Sequence, residues 1–158
     1  MNSYRVEYNI KAMDVLKAVL DLIPSKTVYA HCDIPCGLYD PSGAQMAAQT
    51  VLKMVTQIKE LEVPKEGDQE AWLQYHNALT RRIMNKEKHA KLCEEELMTL
   101  WIDYFKPEHL EKFPDLHDTF WKTAKLCGKN MQNIDEEMAK ELVSAVDKIA
   151  DMFAQTKQ

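Results

Sequence analysis

Two cysteines, Cys32 and Cys36, lie four positions apart, and His31 directly precedes the first of them. Pro35 and Gly37 interrupt this segment, so it cannot be a continuous helix or a central strand. In a bent loop both thiols can point toward one centre. The spacing differs from the Cys-x2-Cys of zinc ribbons and thioredoxin-like sites, and no second pair lies at zinc-finger spacing.

Thiolates are soft donors that favour Cu(I), zinc or an iron–sulfur cluster, whereas square-planar sites with mixed donors favour Ni(II) or Cu(II). The spacing alone leaves all of these metals open. It also leaves open that the two thiols lie in a surface loop and bind nothing. Metal binding by this segment is therefore a hypothesis at this point.

The remaining chain must position this segment, and its apolar residues recur at helical spacing. The first predicted helix is capped by Asp40, has Pro41 at its first position and ends before Pro64. The second spans about residues 69–105. Lys86 and Glu87 fall on its apolar face, which predicts a kink or an exposed turn there.

A third helix is predicted to open at Pro114 and to end at Gly128, a residue type common just after a helix. Asp135 is the predicted cap of the last helix. Four amphipathic helices with short loops predict an all-α, antiparallel four-helix bundle. Cys93 and Cys127 fall on inner helix faces, where free cysteine behaves as a small apolar residue.

Composition limits the possible functions. The 158 residues are 46% hydrophobic, which suits one globular domain, and the net charge of −5 argues against binding to nucleic acid or an anionic membrane. No apolar run approaches the ~20 residues of a membrane span. Four cysteines are too few for a disulfide scaffold. Free thiols and the lack of an export signal predict a cytoplasmic protein.

The segment His31–Pro41, HCDIPCGLYDP, resembles the nickel-binding hook of the nickel-dependent superoxide dismutases. The similarity extends to LWIDYFKP at residues 100–107 and to HLEKFPDLH at residues 109–117. Together with the helix order, it covers nearly everything from His31 onward. The resemblance implies an enzyme that disproportionates two superoxide radicals to O2 and H2O2 by Ni(III)/Ni(II) cycling.

The resemblance also implies that residues 1–30, which include an amphipathic stretch at 10–23, are a helical leader removed by a protease. The cut would fall between Ala30 and His31, leaving a hook of residues 31–40 and a bundle of residues 41–157. Cleavage converts the amide nitrogen of His31 into an amine with a reference pKa near ~8, which a metal readily deprotonates.

By resemblance, one nickel per subunit binds the amine of His31, the backbone nitrogen and thiolate of Cys32, and the thiolate of Cys36. The imidazole of His31 joins as an axial ligand in the oxidised state. Tyr39 is expected at the mouth of the site, where it would screen larger anions. These residues are the expected catalytic set: His31, Cys32, Cys36 and Tyr39.

The supporting residues are expected to hold the hook in place. Asp33, Tyr104 and Lys106 match residues that anchor it to the bundle in the family. Pro35 and Gly37 let the chain fold back on itself.

The sequence also departs from the family pattern. A glutamate on the first helix and an arginine on the second support the axial imidazole in the best-known members, and their positions here are Ala47 and His89. Because such residues tune ligand orientation, we hypothesise that His89 or a water molecule takes over part of their role.

The expected partners are superoxide, the leader-removing protease and five further copies of the chain in a homohexamer, with no nucleic acid and no membrane. Two alternatives remain: a nickel or copper carrier that uses the same hook, and a non-catalytic helical bundle with incidental thiols. Dismutation that depends on leader cleavage would distinguish the enzyme from both.

Residues 1–30 carry a net charge of +1, so their removal would change the net charge from −5 to −6. An anionic substrate would then need a local cationic patch for attraction, for which Lys106 and Lys112 are the candidates.

Overall fold

The computed structural model describes residues 37–157, and this part of the chain contains helices and no strand. The helices are α1 (Ser42–Lys59), α2 (Gln69–Thr99), a π-helical turn (Leu100–Tyr104), α3 (His109–Lys112), α4 (Leu116–Gln132) and α5 (Glu136–Thr156). Among these described elements, none has the length and apolar character needed to cross a membrane.

The four long helices form a closed ring in which α1 packs against α2 and α5, and α4 packs against the same two helices. Hydrogen bonds near the two ends of a pair of helices show whether the helices run antiparallel. On α1 and α5, for example, Gln45 bonds to Asp147 at one end while Lys59 bonds to Glu136 at the other. The predicted all-α, antiparallel four-helix bundle is confirmed.

The centre of the bundle consists of the apolar stripes of the four helices. Each stripe recurs every three or four residues, so that one face of each helix is covered by its neighbours. The fully buried members include Ala48 and Val51 of α1, Leu97 of α2, Phe120 of α4, and Leu142 and Ile149 of α5.

The start of α1 lies one residue later than predicted. Pro41 is the N-cap residue and Ser42 is the first helical residue. Asp40 still supplies the capping oxygen, because its Oδ1 accepts a hydrogen bond of 2.7 Å from the Ser42 N–H. This cap ties the end of the hook segment to the first turn of the bundle.

Helix α2 runs without a break through Lys86, so the predicted kink or exposed turn is wrong. The Lys86 side chain is 1% exposed, and its Nζ donates hydrogen bonds to the carbonyls of Asn130, Met131 and Asn133. An ammonium group has three N–H donors, and all three are used here. Lys86 can be buried on the apolar face of α2 because its ammonium group donates hydrogen bonds to the carbonyls at the end of α4.

The end of α4 also differs from the prediction, since Gly128 lies inside the helix and the helix continues to Gln132. The last carbonyls of a helix need partners from outside it. Lys86 supplies them, and the Nδ2 of Asn130 separately ties α4 to α5 by donating to the carbonyl of Met138. The predicted cap at Asp135 is confirmed, because its Oδ1 accepts from the Met138 N–H.

The segment after α2 changes from α-helical to π-helical geometry. The regular helix ends at Thr99 rather than near residue 105, and the N–H of Phe105 bonds to the carbonyl of Leu100, five residues earlier. After the short α3, helix α4 begins at Leu116 rather than at Pro114. The π-helical turn adds one residue to the last turn and thereby changes the direction in which Tyr104 and Phe105 project.

Candidate functional site

The hook residues His31, Cys32, Asp33, Pro35 and Cys36 lie outside the described residues, as do the predicted leader and its cleavage point. Their roles stay predictions. The described part of the site comprises Gly37 and Tyr39 at the end of the hook, and Tyr104 and Lys106 on the bundle.

Gly37 has a φ of +63°, and a Cβ atom added there would meet nothing within 4 Å. This left-handed conformation is strained for residues with a side chain and is unstrained for glycine. The chain can therefore turn at Gly37 immediately before it enters the bundle, which is the property that a folded-back segment needs.

Tyr39 is partly buried against the bundle core. Its ring lies 5.5 Å from the ring of Tyr104, measured between centroids, with a 56° angle between the planes. Such tilted aromatic pairs stabilise a contact by about 0.5–1.5 kcal/mol beyond the area they bury. The structure thus brings together two of the predicted site residues, one from the end of the hook and one from the π-helical turn.

Tyr104 is held on several sides by other rings. Its centroid lies 4.4 Å from that of Phe153, 5.2 Å from that of Phe105 and 6.0 Å from that of His109. Its hydroxyl oxygen lies 2.5 Å from Oγ1 of Thr156 at the end of α5. Tyr104 is therefore anchored to the C-terminal end of the last helix, which nothing in the sequence pattern predicted.

Lys106 follows the π-helical turn, and its side chain is exposed. Its backbone N–H donates a 3.1 Å hydrogen bond to Nδ1 of His109, whose ring stacks on Tyr104. Within residues 37–157 the ammonium of Lys106 makes no hydrogen bond or ion pair. Lys112, in contrast, donates from Nζ to the carbonyl of Gln155 at 2.8 Å and lies 5.7 Å from the ring centroid of Phe113.

The two positions that depart from the family pattern have different surroundings. Ala47 is 1% exposed and belongs to the core. His89 is half-buried on α2, and its Nδ1 lies 2.8 Å from the carbonyl of Asn85, one turn earlier. Because a carbonyl only accepts hydrogen bonds, this nitrogen carries a proton, and in the neutral ring Nε2 is left as an acceptor. The supporting role of His89 stays a hypothesis.

Cys93 and Cys127 are fully buried free thiols, as the helix pattern predicted. A hydrogen bond with Cys127 and burial in the core both raise the pKa of Cys93 far above its usual range. A thiol that stays protonated is a poor nucleophile and a poor metal ligand. Among residues 37–157, no cluster of three or more His, Cys, Asp or Glu side chains is arranged to hold a metal ion.

The donors that the sequence places in the hook fit nickel by their chemistry. Cys32 and Cys36 supply two thiolate sulfurs, which are soft ligands, and His31 supplies nitrogen donors. Sulfur and nitrogen ligands suit late transition metals, whereas oxygen ligands suit magnesium and calcium. The fold and this donor set define the class of the protein, which is a helical-bundle metalloprotein with a short thiolate-bearing segment before its first helix.

Comparison with known proteins identifies the particular family. Residues 26–157 match the family described as nickel-containing superoxide dismutase, and the chain belongs to that family. It is 33% identical over 135 residues to the nickel superoxide dismutase of Streptomyces coelicolor, covering 85% of this chain and 94% of the relative. The corresponding protein of Streptomyces seoulensis is 30% identical over 135 residues, with the same coverage of 85% and 94%.

Solved structures agree with this assignment. A native nickel superoxide dismutase superposes with a TM-score of 0.70 at 30% identity, covering 81% of this chain and all of the solved one. A second structure, described as having nickel ligation corresponding to the oxidised state, gives a TM-score of 0.68 at 29% identity and covers 80% of this chain and 98% of the other.

Proposed function

We propose that this protein is a nickel superoxide dismutase that converts two superoxide radicals into O2 and H2O2, and that it becomes active once the chain is cut before His31. The match of residues 26–157 to the nickel-containing family carries the proposal. The motif HCDIPCGLYDP adds the donors that the reaction requires at the expected place. As a family member the protein is an oxidoreductase with nickel as its cofactor.

The proposed ligands are the amine and imidazole of His31, the backbone nitrogen and thiolate of Cys32, and the thiolate of Cys36. When bound, nickel supplies a one-electron couple through which one superoxide is oxidised to O2 and a second, together with two protons, is reduced to H2O2. The thiolates of Cys32 and Cys36 and the deprotonated backbone amide of Cys32 would donate electron density to the bound metal. This donation would bring the reduction potential of the metal into the range in which superoxide can both reduce and oxidise it.

The described residues would hold the hook against the bundle. Gly37 provides the turn, Asp40 caps α1, and the ring of Tyr39 packs on Tyr104. A tyrosine held by its ring at the end of the hook can narrow the approach to the metal, which supports the proposed exclusion of larger anions by Tyr39. Tyr104 ends the π-helical turn and Lys106 lies two residues further along the chain, so their positions are coupled.

The proposal that residues 1–30 are a leader has two supports. The family match begins at residue 26, five residues before His31. The native solved chain is matched over its whole length by 81% of this chain, so about a fifth of this chain has no counterpart in that structure. Proteolysis before His31 would create the amine ligand, because an amide nitrogen in a peptide bond is a poor donor.

The deciding experiment combines intact mass, metal content and dismutase activity of the purified protein. We expect a chain that starts at His31, about one nickel per chain and rapid dismutation of superoxide. An uncut variant made by Ala30→Pro should be inactive even when nickel is supplied. Stoichiometric nickel without turnover would indicate a metal carrier instead, and a full-length chain that binds zinc in preference to nickel would contradict the proposal.

We further propose that the enzyme is a homohexamer. Several apolar side chains within residues 37–157 remain exposed, among them Leu73 (65%), Ile102 (72%) and Trp121 (54%). One groove of about 1100 Å³ lies beside Trp101 and Trp121, and a second of about 360 Å³ is bordered by Trp72 and Leu73. Exposed patches of this kind are typical of contact surfaces. Light scattering coupled to gel filtration would measure the assembly, and a monomer would contradict it.

A cytoplasmic location and a dedicated leader-removing protease complete the proposal. Cys93 and Cys127 are free thiols that form no disulfide, which suits a reducing compartment. Cell fractionation followed by mass measurement of the N-terminus would test both points. Recovery of the mature chain outside the cytoplasm would contradict the proposed location.

A further inference from the structure

The hydroxyl group of Thr156, the last residue of α5, donates its proton in a hydrogen bond to the end of the same helix. Its Oγ1 lies 2.6 Å from the carbonyl oxygen of Phe153, one of the last carbonyls of the helix. These carbonyls have no partner within the helix. Because a carbonyl can only accept, the single hydroxyl proton of Thr156 must point to Phe153.

The direction of the next hydrogen bond follows from this proton count. The hydroxyl oxygen of Tyr104 lies 2.5 Å from Oγ1 of Thr156, and either atom could donate in principle. Since the Thr156 proton is already used, Tyr104 is the donor and Thr156 the acceptor. The order of donation is therefore Tyr104 to Thr156 to the carbonyl of Phe153.

The ring of Tyr104 has little freedom to alter this arrangement. It packs against Phe153 at 4.4 Å and against Phe105 at 5.2 Å between centroids, and Tyr39 covers it at 5.5 Å. Rotation of the phenol proton away from Thr156 would leave the threonine oxygen without a donor. The remaining lone pair of the phenol oxygen can still accept a hydrogen bond.

We propose that Thr156 is a positioning residue for the reaction, because it holds the hydroxyl proton of Tyr104 so that Tyr104 presents an acceptor and not a donor. This inference rests on the proposed function and extends it to the source of the two protons that the reaction consumes. The two protons that leave in H2O2 would then come from a group other than Tyr104. A free phenol proton at this position would donate a hydrogen bond to H2O2 and slow its release.

The first test measures the hydroxyl proton directly, in the folded protein without metal. With ¹³Cζ-labelled tyrosine in a mixture of H2O and D2O, a slowly exchanging hydroxyl gives two resolved carbon signals. We expect resolved signals for Tyr104, assigned by their loss in Tyr104→Phe. Thr156→Val should merge them into one averaged line, and Thr156→Ser should keep them apart. Resolved signals that persist in Thr156→Val would overturn the inference.

The second test uses turnover by the nickel-loaded enzyme. Thr156→Val should lower kcat about 3- to 10-fold, the effect of one lost hydrogen bond, and should increase inhibition by H2O2. Thr156→Ser should stay within about twofold of the original enzyme, since it keeps the hydroxyl.

A double-mutant cycle separates positioning from simple packing. In a Tyr104→Phe background, Thr156→Val should have no further effect, because the hydroxyl it acts through is already gone. Equal effects of Thr156→Val with and without Tyr104 would show a packing role and overturn the inference. If the unmodified nickel-loaded enzyme has no dismutase activity, the proposed function fails, while the carbon signals still decide the hydroxyl arrangement.

Discussion

At Cys93, the thiol is hydrogen-bonded to Cys127 and lies fully inside the bundle, and both features raise its pKa above its usual range. The reactive form of cysteine is the thiolate, whose population depends on that pKa. Cysteine thus has two different roles in this chain. Cys93 is a protonated thiol that packs in the core, whereas Cys32 and Cys36 are the proposed thiolate ligands.

This difference predicts how the thiols respond to alkylation. In the folded protein, Cys93 and Cys127 should stay unmodified by N-ethylmaleimide as the pH rises from about 7 to about 9, because both side chains are fully buried and the raised pKa of Cys93 keeps its thiol protonated. In the unfolded chain they should react, and faster at the higher pH. Peptide mass spectrometry measures both. Modification of either site before unfolding would contradict the prediction.

His89 provides a second prediction at this scale. If it supports the proposed nickel site, His89→Ala should change the spectrum of the nickel-loaded enzyme and lower turnover about 10-fold, as the loss of other supporting residues does. His76→Ala is the matched control, since it removes an imidazole from the opposite end of α2. An unchanged spectrum with unchanged turnover would rule out the role of His89.

At the scale of the elements, the length of α4 depends on a side chain of α2. Three carbonyls near the end of α4 accept hydrogen bonds from the buried ammonium of Lys86. A buried helix end without hydrogen-bond donors would destabilise the fold, because its carbonyls would lose their hydrogen bonds to water and form none with the protein. Lys86 therefore stabilises the α2–α4 contact although it carries a charge.

Lys86→Met should lower the free energy of unfolding by about 1–3 kcal/mol, since it keeps the apolar stem and removes all three donors. Lys88→Met is the control, because Lys88 lies on the same helix and is exposed; it should change stability by less than about 0.5 kcal/mol. Urea unfolding followed by circular dichroism measures both. Equal effects of the two substitutions would argue against a capping role.

The π-helical turn is the second feature at this scale. It lies between α2 and α3, within the block LWIDYFKP that carries part of the family resemblance. Its additional residue per turn places Tyr104 against Tyr39 and Phe153. π-Helical turns are frequent at functional sites because they redirect side chains without ending the helix.

For the whole molecule, the net charge and the charge of the proposed substrate have the same sign. The sequence has a net charge of −5, and superoxide is an anion. Local charge can still attract an anion in such a protein. The ammonium of Lys112 is hydrogen-bonded to the carbonyl of Gln155, whereas the exposed ammonium of Lys106 makes no hydrogen bond or ion pair within residues 37–157.

Lys106→Gln should therefore lower kcat/KM about 2- to 5-fold at low ionic strength, and the difference should shrink as salt screens the attraction. Lys53→Gln, an exposed position on α1, makes the same change in net charge and should have a much smaller effect. Stopped-flow kinetics at several salt concentrations measure this. A salt dependence that is the same for both variants would exclude steering by Lys106.

The sequence by itself determined the all-α bundle, because helical periodicity reports directly which face of each helix is buried. It also determined the family, because the motif HCDIPCGLYDP and the block around Tyr104 depend on local residue order. Capping by Asp40 and Asp135 was predictable for the same reason, since a cap acts within a few residues of the chain.

Only the tertiary structure decided how distant parts of the chain meet. The role of Lys86 depends on carbonyls that lie 44 to 47 residues away, and a charged residue on an apolar face does not reveal them. The bond from Tyr104 to Thr156 spans 52 residues. Helical periodicity reports one face of one helix, whereas these contacts depend on the register between helices, which packing of the whole core sets.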